Sequence, residues 1–90
     1  MRESYMTVLE DGEWVVQQHL YLRSWFRVLR QQEVVAELQV KYDFPNDNTV
    51  VEKIYLRLPS GKSTVITRKN PEKPADFTEL LQIVKSQGSL

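Results

Sequence analysis

Residues 33 to 44 alternate without a break. Val34, Ala36, Leu38, Val40, Tyr42 and Phe44 hold one parity, and Glu33, Val35, Glu37, Gln39, Lys41 and Asp43 hold the other. A period of two sends the first set to one side of a pleated strand, so this stretch belongs in a sheet with one face buried and one wet. Pro45-Asn46-Asp47-Asn48 then combines a fixed φ with side chains that tolerate turn geometry. Alternation resumes with Ile54, Leu56 and Leu58 against Lys53, Tyr55 and Arg57. Pro59-Ser60-Gly61-Lys62 reads as a second turn, and the β-branched run from Ser63 to Arg68 as a third antiparallel strand. These segments predict a three-stranded meander.

Two prolines within Asn70-Pro71-Glu72-Lys73-Pro74 deny both ladder donors and helix continuation, so the sheet ends there. Beyond them Asp76 stands three residues before Glu79, the spacing of a capping box. Phe77, Leu80, Leu81 and Val84 then fall at i, i+3, i+4 and i+7. Lys85 near the end and Gly88 after it complete the signature of a helix.

The stretch from 13 to 31 contains no Gly or Pro and threads in two ways. At 100° per residue, Trp14, Val15, Tyr21, Leu22, Trp25, Phe26, Val28 and Leu29 share a broad arc, opposite Gln17, Arg23, Arg27, Arg30 and Gln31. At 180° per residue the even positions are also apolar, but Trp25 and Leu29 are left among Arg23 and Arg27. Glu10, Asp11 and Glu13 before the stretch, with Arg27 and Arg30 at its end, complement a helix macrodipole, which favours the helix. With a short N-terminal strand this predicts an α+β fold, a small antiparallel sheet with two helices on one face. The alternative is a mostly-β meander with one C-terminal helix, because Asp11-Gly12 is a hairpin turn signal that would pair Tyr5–Leu9 with Trp14–Gln18.

Ninety residues, 41% of them hydrophobic, fit one small domain. Twelve Lys and Arg against twelve Asp and Glu argue against both a basic nucleic-acid tail and an acidic disordered chain. The absence of cysteine excludes a disulfide framework, a thiolate nucleophile and cysteine-ligated zinc or iron–sulfur sites. No apolar run approaches the ~18 residues that span a bilayer, and no signal-peptide core follows Met1-Arg2-Glu3-Ser4, so the expectation is a cytoplasmic protein.

Chemistry-bearing motifs are sparse. Gly61-Lys62-Ser63-Thr64 matches the tail of a P-loop, but Leu56 holds the place of the required first glycine and a β-branched strand follows instead of a helix. His19 is the only histidine, too few imidazoles for a cysteine-free metal site, and no serine sits in a nucleophile elbow. In Asp43-Phe44-Pro45-Asn46-Asp47-Asn48 a proline replaces a calcium ligand and Asn48 the turn glycine. The expectation is a non-enzymatic protein without cofactor or metal.

The outward parity of the meander carries the most functional content. Lys41, Lys53, Tyr55, Arg57 and Arg68 are expected to share one open sheet face with Val35, Val51 and Ile66. An ordinary solvated face competes with a contact surface here, since antiparallel sheets commonly leave one side in water. As a contact surface the mixture of Tyr, Arg and aliphatic residues suits a partner protein or a second copy of the chain, with Lys41, Lys53, Tyr55, Arg57, Ile66 and Arg68 as contact residues. The alternative is an RNA or single-stranded DNA platform in which Tyr55 stacks a base. Residues 57 to 73 would supply the cations: Arg57, Lys62, Arg68, Lys69 and Lys73 against one acid, Glu72.

Overall fold

The computed structural model describes residues 4–88. Six strands pair in chain order as one antiparallel sheet: β1 (Tyr5–Asp11), β2 (Trp14–His19), β3 (Trp25–Arg30), β4 (Glu33–Asn46), β5 (Thr49–Arg57) and β6 (Ser63–Lys69). A single helix, α1 (Phe77–Gly88), follows. The two-helix α+β expectation is therefore overturned, because residues 13 to 31 form two strands rather than the first helix. Of the charges that would complement a helix macrodipole, Glu13 and Arg30 are hairpin partners instead. The register sets Trp14 opposite Arg30, and Glu13 Oε1 accepts from Arg30 Nε at 2.7 Å.

The first three hairpins are held in different ways. Gly12, at φ +62°, opens the two-residue loop between β1 and β2, a place where positive φ favours glycine. The β2–β3 loop is closed by His19, whose Nδ1 accepts the amides of Tyr21 (3.1 Å) and Leu22 (2.9 Å). Between β3 and β4 the loop is Gln31-Gln32, with both residues at positive φ, +51° and +70°. That is the signature of a type I′ turn, normally built from Asn and Gly. Glu13 holds it in place: its carbonyl accepts the Gln31 amide at 2.9 Å and its carboxylate accepts Gln31 Nε2 at 2.9 Å. These two bonds to Arg30 and Gln31 hold the Glu13 carboxyl below its usual range.

Residues directly opposite on paired strands share a face, so the register sorts the sheet. Val16, Phe26, Val28, Ala36, Leu38, Ile54 and Leu56 form one layer, and Leu80, Leu81 and Val84 of α1 close over it. All ten are buried. Fully burying one Leu or Val side chain contributes ~1.5–3 kcal/mol, so the helix is held by its apolar stripe more than by propensity. Its N-cap is Asp76, whose Oδ1 accepts the Glu79 amide at 2.8 Å. The Glu79 carboxylate, which a capping box would turn back to the Asp76 amide, instead accepts from Arg68 Nη1 at 2.8 Å.

The paired left-handed glutamines are a backbone cost offset by Glu13. Gln32→Gly removes one such cost and leaves the Gln31–Glu13 bonds in place, so a net gain of about 0.5–1 kcal/mol is expected. Thermal denaturation should show a midpoint higher by a few degrees, and a lower midpoint would mean that Gln32 is not strained in this turn.

Candidate functional site

The face opposite α1 carries no helix. Four of the six expected contact residues lie on it. Tyr55 stands opposite Gln39 on one side and Val65 on the other, and Gln39 in turn stands opposite Trp25. The result is a strip, Trp25–Gln39–Tyr55–Val65, running across β3 to β6. Tyr55 is 37% exposed and Val65 49%. On one flank runs a polar row, Thr7–Gln17–Arg27–Glu37–Arg57–Ser63, that crosses all six strands. Lys41 and Lys53 stand opposite each other on the other flank. A shallow groove of about 230 Å³ follows the strip between Trp25, Gln39, Tyr55, Arg57, Ser63 and Val65. Glu37 and Arg57 also border a second hollow of about 380 Å³ that continues toward Leu58 and Pro59.

Much of the charge on this face is paired within the chain. Arg57 Nη2 donates to Glu37 Oε2 at 2.6 Å, and Lys53 Nζ lies 3.1 Å from Asp43 Oδ2. The Asp43 bond holds the Lys53 ammonium above the usual lysine range. Arg27 Nε donates to Gln17 Oε1 at 2.6 Å while its guanidinium lies 4.1 Å from the centre of the Tyr5 ring. Lys41 Nζ sits 5.8 Å from the centre of the Tyr55 ring. Such exposed pairs are worth about 0–1 kcal/mol each, so they neutralise the face more than they stabilise the fold.

Ile66 and Arg68 are on the other face, a correction to the expected contact set. Ile66 stands opposite Ile54 and packs against the core, and Arg68 stands opposite Glu52. The cause is loop length. Leu58 N donates to Lys62 O and Gly61 N to Leu58 O, with Gly61 at φ +94°. The loop is therefore Pro59–Gly61, three residues ending in a left-handed glycine, rather than the four-residue turn Pro59–Lys62. One residue fewer shifts β6 by one place, and a one-place shift turns every side chain to the opposite face. Val65 replaces Ile66 beside Tyr55. Trp25 was missed for a different reason, since on a helix over 13 to 31 it has no place beside the meander.

Arg68 joins a buried network under the linker before α1. Glu52 has no exposed surface. Its carboxylate accepts from Arg68 Nε at 2.5 Å, the Tyr42 hydroxyl at 2.7 Å and the Ala75 amide at 2.9 Å. Burial by itself would raise the Glu52 carboxyl. The Arg68 bond, with those from Ala75 and Tyr42, outweighs burial and holds it below its usual range. Burial, and then the bond to Glu52, push the Tyr42 phenol up to about 12. Of the five basic groups between 57 and 73, Arg57, Arg68 and Lys73 are therefore engaged with Glu37, Glu52 with Glu79, and Asp76.

The motifs set aside from sequence straddle strand ends and connecting segments. Gly61 lies in the β5–β6 loop ahead of Ser63-Thr64 at the start of β6, and Asp47-Asn48 lies at the tip of the β4–β5 hairpin. Among the described residues no three His, Asp or Glu side chains converge as a metal site requires, and no helix is long and apolar enough to cross a membrane. No known family, no curated protein and no solved structure matches this chain.

Arg68→Met leaves Glu52 buried without its cation and is expected to cost about 3–5 kcal/mol. Arg57→Met breaks only an exposed pair and is expected to cost under about 1 kcal/mol. Urea denaturation distinguishes them, and equal losses would overturn the assignment of Arg68 to the fold. The pH dependence follows the same groups. Glu52, lowered in the folded state from 4.5, contributes stability above pH 4.5 that is lost as pH falls further. Tyr42, raised from 10.0 to about 12, contributes stability below pH 10.0 that is lost as pH rises toward 12. Absorbance titration should show a tyrosine phenol ionising at about pH 12 that Tyr42→Phe removes.

Proposed function

We propose that this chain is a non-catalytic interaction domain that binds a partner protein through the open sheet face. The observation that carries the reading is the Trp25–Gln39–Tyr55–Val65 strip, aromatic and aliphatic, left without a helix and bordered by Arg57–Glu37 on one side and Lys41 and Lys53 on the other. Tyr, Trp and Arg dominate the energetic centres of protein interfaces, because each combines large apolar contact with a polar terminus. The groove along the strip is shallow and open, which suits a protein surface better than a small substrate needing deep enclosure.

An RNA or single-stranded DNA platform is the competing reading. The position of Arg68 counts against it, since a guanidinium held on the core face by the buried Glu52 carboxylate is not offered to phosphates on the open face.

The double substitution Tyr55→Glu with Arg57→Glu places like charges beside Glu37 on this face. Affinity capture from extract with the wild-type chain as bait should retain a partner that the double variant loses. The variant should keep the wild-type circular dichroism, and Lys62→Glu, on the β5–β6 loop, should still bind. Identical capture by wild type and double variant removes the face from recognition. Complexes that dissolve steeply between about 50 and 200 mM salt with nucleic acid present would transfer it to the competing reading.

A further inference from the structure

The two edges of the sheet are unequal. β1 carries an irregularity between Thr7 and Leu9 and ends in Glu10 and Asp11. Bulges and charges of this kind keep an edge from pairing with another chain. β6 has no such irregularity, and its charges, Arg68 and Lys69, are confined to its C-terminal end, where Arg68 is held by Glu52 and Glu79. Its register to β5 runs unbroken from Ser63–Arg57 to Lys69–Val51, and its centre reads Thr64-Val65-Ile66-Thr67.

The direction of the β6 backbone groups follows from the ends of the ladder. Leu58 N donates to Lys62 O at 2.8 Å, and Asn70 N donates to Val50 O at 2.7 Å. Hydrogen-bonded and non-bonded pairs alternate in an antiparallel ladder. The even residues of β6 therefore bond to β5, and Ser63, Val65, Thr67 and Lys69 turn their N–H and C=O groups to the outer edge. Among the described residues the chain does not return to cover them. Asn70, at φ +48°, turns it away, and the linker crosses the helix side, where Lys73 O accepts from Arg68 and the Ala75 amide reaches Glu52.

We propose that β6 pairs antiparallel with β6 of a second copy, joining two sheets into one about a two-fold axis at Ile66. The sequence of the strand is self-complementary in that register. Ile66 meets Ile66 of the other copy, Val65 meets Thr67, Thr64 meets Arg68 and Ser63 meets Lys69, so no like charges stand directly opposite. All four outward residues of each copy form hydrogen-bonded pairs, whereas the neighbouring register, centred on Val65, leaves Lys69 without a strand partner. Both faces stay continuous: Val65 extends the Tyr55 strip toward the second copy, and Ile66 extends the apolar layer. The contact is isologous, so it closes at a dimer and exposes the guarded β1 edges at both ends.

Pairing at the edge stands apart from binding on the face, and the tests separate them. Sedimentation of the wild-type chain between about 2 and 200 µM should show a mass rising toward twice 10.6 kDa. Thr67→Pro removes only an outward donor, leaves the β5–β6 ladder intact and should hold the chain at monomer mass. The native chain has no cysteine, so a single substitution reports the register cleanly. Ile66→Cys places two sulfurs across a non-bonded pair with Cα atoms about 4.5 Å apart, within disulfide range, and should oxidise to a covalent dimer. Ser63→Cys, about 20 Å from its counterpart, should not. The cysteine pair decides the matter even if the proline variant fails to fold. A wild-type chain that remains monomeric at the highest concentration overturns the proposal and leaves the edge to a strand of a different protein. A dimer that Thr67→Pro leaves intact and Ile66→Cys fails to cross-link overturns it as well, while binding that depends on Tyr55 and Arg57 is untouched by either result.

Discussion

Among the described residues one twelve-residue helix is the only element that covers a face of this six-stranded sheet, and the fold depends on where it is held. In a flat sheet β1 and β5 lie about 19 Å apart, whereas a helix with its side chains is about 10–12 Å across. Yet the last turn of α1 reaches both sides. Lys85 Nζ lies 3.0 Å from Asp11 Oδ2 at the end of β1, and Gln87 lines a hollow with Leu56 and Leu58. Irregularities between Thr7 and Leu9, Val28 and Leu29, and Asp43 and Asn46 interrupt the ladders, and a strand bends and twists more at such places. At the other end the Glu52 network fastens the linker, so the apolar stripe of α1 meets the apolar layer in one position. The same arrangement leaves the opposite face without cover.

β4, β5 and α1 were legible in the sequence because each has one wet side and one dry side, which is what periodicity measures. β2 and β3 were not, because their outward residues are partly apolar. Trp25 stands in the open strip, Leu29 stands opposite Val15 and Val34, and Arg27 lies over Tyr5 between Gln17 and Glu37. A strand whose two faces are both amphipathic has no clean period of two, and Trp25 and Leu29 then fall by accident on a helical arc. The turns compounded the difficulty. Gln31-Gln32 adopts a conformation that favours Asn and Gly, stabilised from outside by Glu13, and nothing local to the two glutamines announces it.

The composition of the candidate face was legible only up to a parity. Lys41, Lys53, Tyr55 and Arg57 follow from alternation within β4 and β5, but the neighbours contributed by β6 depend on whether the loop holds three residues or four. Pro59-Ser60-Gly61-Lys62 fits either count. The choice is made where Gly61 takes a left-handed conformation and Lys62 rejoins the ladder through Leu58. That single residue decides that Val65 stands beside Tyr55 and that Arg68 meets the fully buried Glu52 carboxylate.

Arg57 and Arg68 look alike in the sequence, each in a strand with a carboxylate opposite or near it, yet their surroundings assign them different work. The Arg57–Glu37 pair is in water, with side chains 66% and 44% exposed. It therefore contributes little, and Arg57 can turn to a carboxylate on an incoming surface at almost no expense in folding free energy. Glu52 has no water to fall back on, so turning Arg68 outward would strand a buried charge and loosen the linker that positions α1. A recognition surface needs cations whose existing bonds are weak, and a clamp needs cations whose bonds cannot be exchanged. Burial of the partner carboxylate, more than the arginine itself, separates the two roles.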